Sequence, residues 1–376
     1  MGCGFGCRLG AGPSEAIADA ARRIGAAQCP VLLLGMLASE PRAALAIREL
    51  LQAAPLPVVT TFQATGILTR DLLPLFAGRV GLFHNQPADR LLGDADLVIT
   101  VGYDPIEYDE AAWNKGHCRD IVHIDAVPCD IDAAYKPAIE IIGDIADTIR
   151  SLAPQIHSSQ RPNPALRAVI DEMAMIREKG SRENGVPVHP LRLIADLQAV
   201  VADDVTLCLD MGSFHIWLAR YLQVFRPRQM LISNGQQTLG VALPWAIAAC
   251  LVRPGEKVIS ISGDGGFHYS SAELETAVRL KCPFVHIIWR DGAYDMVAFQ
   301  EELKYGRRSG VDFGPIDTVR FAEALGARGF AIERAEEFAP TLRKAMELPG
   351  PVLIDVPVDY SHNKALGQQV RPQALI

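Results

Sequence analysis

Two aspartates, Asp264 and Asp291, each follow a short apolar run and open a glycine-containing turn, in "VISISGDGG" and "VHIIWRDGAY". In an open parallel sheet, ligands bind beyond the carboxyl ends of the strands, and both residues fall at such ends. Their 27-residue separation holds one helix and one strand, so they come from sequential strands, which are often neighbours. Gly265 and Gly266 let backbone N–H groups approach an anion. The helix expected from Ser271, with Ser270 and Ser271 as N-cap candidates, would aim its positive end at a phosphate. Two carboxylates facing such a turn repel each other and the anion unless a cation lies between them. Mg²⁺ fits, because it takes oxygen ligands and is usually held by one or two carboxylates plus substrate phosphates. The plainer reading is a tight turn around 263–266 and an ordinary surface acid at 291, and the residues alone leave both open.

The elements that would position these acids alternate regularly. Helical spacing of Ile17, Ala20, Ala21 and Ile24 after a Ser14 cap precedes a buried strand at 30–35. A second helix follows from Ser39, with Pro41 tolerated in its first turn, and then a strand at 57–62. Further strands are expected at 96–102, 120–126 and 139–144, with a helix at 145–153. Beyond a Pro- and Ser-containing stretch without periodicity, 154–164, helices are expected near 165–179 and 189–201. Strands follow at 204–210, 229–233, 257–262, 284–289 and 351–358, interleaved with helices at 214–222, 239–252, 271–281 and near 318–326. Short, continuously apolar strands separated by helices indicate parallel sheets covered on both faces. The expected fold class is therefore α/β, with two doubly wound, mainly parallel-sheet domains joined by a linker at 154–164.

Composition excludes several function classes. The chain has 376 residues, 49% apolar and 21% charged, with a net charge of −8, which gives no basic footprint for nucleic acid. The apolar run at 238–252 contains Pro244 and is too short to span a bilayer of roughly 30 Å. The eight cysteines are scattered, most of them in apolar stretches, which suits a reducing cytoplasm. Cys3 and Cys7 lack the second pair or histidine that a zinc site needs. No basic and apolar leader pattern opens the sequence. "GCGFG" lacks the preceding strand of a dinucleotide fingerprint, and no G-x-x-x-x-G-K-[ST] loop is present.

The G-D-G turn, followed after about 27 residues by an acid, a backbone carbonyl two positions on and then a tyrosine, resembles the thiamine diphosphate (ThDP) motif. Together with "ISNGQQTLGVALPWAIAA", "DMGSFHIWLARY", "SAELETAVRLK" and "SGVDFGPID", it makes the chain similar to the catabolic, FAD-independent acetolactate synthase family from about residue 14 onward. That resemblance implies a middle domain at 14–153, a pyrophosphate-binding domain at 165–376 and an unmatched segment at 1–13. It implies that Asp264, Asp291 and the carbonyl of Ala293 hold Mg²⁺. Gly265, Gly266 and Tyr294 would meet the diphosphate, with Gly212, Ser213 and Phe214 approaching from a second turn. Leu239 would prop the coenzyme in a bent shape, and the carbonyl of Gln237 would receive its aminopyrimidine N–H. Bending makes proton removal from the thiazolium carbon intramolecular. The ylid so formed would join two pyruvates into acetolactate with loss of CO₂.

Gln300 stands where biosynthetic relatives carry Trp, which favours pyruvate as both substrates, and Met296 is a further candidate beside it. The stretch 101–109 lacks the arginine of FAD-binding relatives, so no FAD is expected. Taken alone, Leu239 and Met296 read as core residues, and His215 and His268 as capping or surface histidines. Arg290 and Gly292 flank the second acid where relatives differ. The resemblance does not extend to a pyrimidine-binding domain with its catalytic glutamate. The implied partners are therefore such a domain in trans, or further copies in a homo-oligomer. A non-catalytic ThDP–Mg²⁺ binding module and another ThDP-dependent 2-oxo acid decarboxylase are the alternatives.

Overall fold

The computed structural model describes residues 9–81, 86–116, 119–157, 163–233 and 237–363. These form two compact units. One comprises the chain to Glu172 together with Phe225–Arg228, and the other comprises Met173–Val224 with Gln229 onward. The expected linker falls partly on 158–162, and Cys3, Cys7 and Cys118 fall on 1–8 and 117–118; all of these lie outside the described residues.

The first unit runs α1 (Ser14–Ala26), β1 (Pro30–Leu34), α2 (Pro41–Ala53), β2 (Val58–Thr61), β3 (Phe76–Val80), α3 (Pro87–Asp94), β4 (Leu97–Val101), α4 (Glu110–Trp113), β5 (Asp120–Asp125), β6 (Ile139–Ile142), α5 (Ile145–Leu152) and the start of α6 (Pro164–Ser181). Its six strands are parallel, in the order β3-β2-β1-β4-β5-β6. In β1, Leu32 and Leu34 enter one apolar cluster while Val31 and Leu33 enter another. A strand with a core on each face has no polar side to show, which is why it reads as an unbroken apolar run. Ile17, Ala20, Ala21 and Ile24 are the buried positions of α1, as expected, but Ser14 is its first helical residue rather than a side-chain cap. Glu40 caps α2 by accepting from the N–H groups of Arg42 and Ala43, and Pro41 occupies the tolerated first position. Residues 10–12 pack onto this unit: Gly12 N–H donates to Thr148 Oγ1 (3.0 Å) and Asp144 N–H to the Gly10 carbonyl (2.8 Å).

The second unit continues with α7 (Pro190–Val200), β7 (Thr206–Leu209), α8 (Ser213–Tyr221), β8 (Met230–Ile232), α9 (Ala242–Val252), β9 (Val258–Gly263), α10 (Asp264–Ser270), α11 (Glu273–Arg279), β10 (Phe284–Arg290), α12 (Asp295–Tyr305), α13 (Thr318–Ala324), β11 (Arg328–Ala331), α14 (Phe338–Glu347) and β12 (Val352–Pro357). All six strands are again parallel, in the order β11-β12-β10-β9-β7-β8. The carboxyl ends of β7, β9 and β10 therefore lie side by side.

The expected helix at 271–281 requires correction. Helix begins at Asp264, directly off β9, breaks, and resumes at Glu273, so Ser270 lies in the last turn of α10 and Ser271 after it. Two consecutive glycines suggested a turn because glycine is a poor helix former. Close packing, not a turn, requires the glycines: a Cβ on Gly265 would lie 2.7 Å from the Tyr294 ring, and one on Gly266 would lie 2.9 Å from Asp210 Oδ2. Among the described residues no helix is long and apolar enough to cross a membrane.

Candidate functional site

Asp264 and Asp291 stand at the carboxyl ends of the paired strands β9 and β10, as the spacing predicted. Each turn is shaped to meet the other. Gly292 adopts φ +80°, which glycine tolerates readily, and its N–H donates to Asp264 Oδ2 (2.7 Å) while Gly265 N–H donates to Oδ1 (3.0 Å). The segment 311–313 pairs antiparallel with 292–294: Tyr294 N–H donates to the Val311 carbonyl (2.9 Å) and Phe313 N–H to the Gly292 carbonyl (2.8 Å). Successive carbonyls of an extended strand point to opposite sides. The bridge therefore takes no bond from the Ala293 carbonyl, which faces away from Asp312.

Electrostatics mark this edge of the sheet. Burial, with Asp295 and Asp264 nearby, pushes the Asp291 carboxyl up to about 8. Burial also raises Asp264 and Asp295 above the usual carboxylate range. Three acids crowded away from water are costly as anions, and an oxygen-seeking cation relieves that cost. The donors expected from the sequence are the Asp264 and Asp291 carboxylates and the Ala293 carbonyl. Among the described residues no group of three or more His, Cys, Asp or Glu side chains is arranged to hold a metal ion. Arg290, the unusual neighbour of Asp291, turns to the neighbouring strand, where its Nε donates to buried Asp355 Oδ1 (2.7 Å).

The turn after β7 joins the same edge. Gly212 has φ +154° and precedes α8, whose Ser213 hydroxyl donates to Asp295. Phe214 is buried and its ring lies 6.2 Å from that of Trp289, which is fully buried at the end of β10. Tyr294 stands edge-on to Phe313, with centroids 4.5 Å apart, and to Tyr269 at 6.4 Å. Gln237 is exposed with φ +48°, and Leu239 is half-buried in the turn leading to α9. Met296 and Gln300 are both half-buried on α12, one turn apart. The "NGQ" preceding Gln237 lies outside the described residues. Of the two histidines read as capping or surface residues, His215 is instead fully buried in α8, while His268 is half-buried beside Phe313.

Four residues that sequence reasoning passed over complete the site. Asp210 accepts from Gly240 N–H (2.9 Å) and Met211 N–H (2.8 Å), tying the turn that carries Gln237 and Leu239 to the end of β7. Burial raises its carboxyl to about 6. Asp295 accepts from Ser213 and from Asn363 Nδ2 (2.6 Å), and Asn363 in turn accepts from Trp217 Nε1 (2.7 Å). Tyr360 stands close to these acids. The D-M-G-S run was the available signal for Asp210. No local pattern marks Asn363 or Tyr360, which reach the site only because β12 lies beside β10.

Residues 210–356 match the thiamine pyrophosphate enzyme, C-terminal TPP binding domain, and residues 17–152 match the thiamine pyrophosphate enzyme, central domain. The chain belongs to the thiamine pyrophosphate enzymes. This thiamine pyrophosphate enzyme is 48% identical to the acetolactate synthase of Bacillus subtilis (strain 168) over 369 residues, which cover 97% of the chain and 65% of that protein. It is 49% identical to the catabolic acetolactate synthase of Raoultella terrigena over 367 residues, covering 96% of the chain and 66% of the relative. Similarity to the acetolactate synthase isozyme 1 large subunit of Escherichia coli (strain K12) is lower, 29% over 351 residues, with 92% and 61% covered. The chain thus spans about 65% of the length of its most similar relatives named here.

Proposed function

We propose that this chain contributes the coenzyme's diphosphate site to an acetolactate synthase, which converts two pyruvates to 2-acetolactate and CO₂. One observation carries the reading: two carboxylates on adjacent strand ends, Asp264 buried and Asp291 half-buried, joined by the Gly292 N–H, with Asp291 held near 8. The 48–49% identity to acetolactate synthases, one of them catabolic, supports the choice of reaction.

In this reading Asp264, Asp291 and the Ala293 carbonyl hold Mg²⁺. Backbone groups of Gly265, Gly266, Gly212 and Ser213 approach the diphosphate, with the Tyr294 and Phe214 rings walling it. Leu239 and the Gln237 carbonyl hold the coenzyme's reactive end, and Met296 and Gln300 on α12 face the 2-oxo acid. When bound, thiamine diphosphate supplies the electron sink for decarboxylation. The chain's residues would orient it, exclude water and, through the Mg²⁺ they would hold, offset its charge. The reading needs no FAD. It assigns the rest of the catalytic machinery to a pyrimidine-binding domain, which the described residues do not include, and fits a reducing cytoplasm. The domain limits we propose are 14–153 and 165–376.

Titration calorimetry with thiamine diphosphate and Mg²⁺ tests the site, and product analysis after supplying a pyrimidine-binding domain tests the reaction. Acetolactate is the expected product. Acetaldehyde instead would indicate a plain 2-oxo acid decarboxylase, and no uptake of the coenzyme would overturn the reading.

A further inference from the structure

Beyond β12 the chain is pinned on both sides. Val358 N–H donates to the Arg290 carbonyl (2.9 Å), and Asp359 N–H donates to the Val188 carbonyl (3.0 Å). A turn then closes, with Asn363 N–H donating to the Tyr360 carbonyl (2.9 Å) and the Asn363 side chain reaching Asp295. Tyr360 is thereby carried past Asp291 as the continuation of a strand in register with β10. Its hydroxyl oxygen is buried, with the Phe214 N–H directed at it, and its own O–H finds no acceptor within the protein. The groups acting on it are Asp291, Asp295 and Asp264, with the Phe214 amide on the α8 side. Protein hydroxyls in dry surroundings are normally paired, and an orphan invites a partner that the chain itself does not provide.

We propose that the Tyr360 hydroxyl is a further binding group of this site, donating a hydrogen bond to a diphosphate oxygen of the coenzyme. Resting on the coenzyme reading above, this adds a donor from the last strand to a cradle otherwise built from the turns after β7, β9 and β10. A phenol suits the place because it donates without bringing another charge among three acids. A tyrosine on a strand continuation is also held more rigidly than a lysine would be.

Tyr360→Phe keeps the ring and removes only the donor. Calorimetric titration with thiamine diphosphate and Mg²⁺ should show about tenfold weaker uptake, the scale of one hydrogen bond to a charged group. The ligand-free variant should melt at about the same temperature or higher, because a buried O–H without an acceptor has been removed. A hydroxyl with a purely structural role would lower the melting temperature and leave uptake unchanged, and that outcome overturns the proposal. Asp291→Asn separates the two ideas. If wild type binds and Asp291→Asn does not, while Tyr360→Phe binds within about twofold of wild type, the coenzyme site stands and the tyrosine's role falls. If wild type takes up no coenzyme, both fall.

Discussion

A carboxyl held near 8 reverses the usual dependence of stability on pH. Asp291 rises from an ordinary carboxylate value to about 8 on folding, so between those values the folded chain binds a proton that the unfolded chain has released. Its contribution is therefore full at acid pH and is lost as pH climbs to 8. Without a cation, the second unit should melt progressively lower from pH 5 to pH 8, and Asp291→Asn should flatten that slope. A thermal-unfolding series against pH checks both. The same displacement means that binding Mg²⁺ with the coenzyme near pH 7 should release protons. Calorimetry in buffers of different ionisation enthalpy reads this directly, and zero release would contradict the assignment. Gly292→Ala isolates a backbone effect, because a Cβ there meets nothing within 4 Å. The substitution should cost about 1 kcal/mol through its positive φ alone, read by denaturant unfolding, and should weaken coenzyme uptake by disturbing the N–H that reaches Asp264.

Among the elements, the turn after β8 depends on a strand end distant in sequence. Asp210 holds Gly240 and the approach to α9, so Asp210→Asn should destabilise the second unit by roughly 2 kcal/mol. Coenzyme uptake should suffer more than that loss alone explains, because Gln237 and Leu239 ride on the same turn. Paired unfolding and binding measurements would expose the excess. Strands in the middle of these sheets were legible from sequence because both faces are covered, leaving continuous apolar runs such as "PVLLL" and "DLVITV". Two strands escaped notice because their sequences break that apolar run. β3 contains Gly78 and Arg79, and β11, at the sheet edge, is at most half-buried. Helix α12, which carries Met296 and Gln300, buries only Ala298 and Phe299, so it shows little periodicity to read. Asp264 and Asp291 stood out because local chemistry marks them. Asp295, Asn363 and Tyr360 gather through strand order, which sequence spacing does not reveal.

Taken whole, the chain carries two sheets, each with its own core, and only the second bears the proposed coenzyme site. Ligand binding stabilises what it binds. Thiamine diphosphate with Mg²⁺ should therefore raise the calorimetric transition of the second unit and leave that of the first in place. A uniform shift of both would show the units to be energetically linked. Of the four tryptophans, Trp113 belongs to the first unit, while Trp217, Trp245 and Trp289 belong to the second. Trp289 is enclosed completely, two residues before Asp291 and against Phe214. An indole so enclosed emits at short wavelength and senses changes in the charge beside it. The molecule thus contains its own optical gauge: blue-edge fluorescence would follow metal loading in real time, with no label attached.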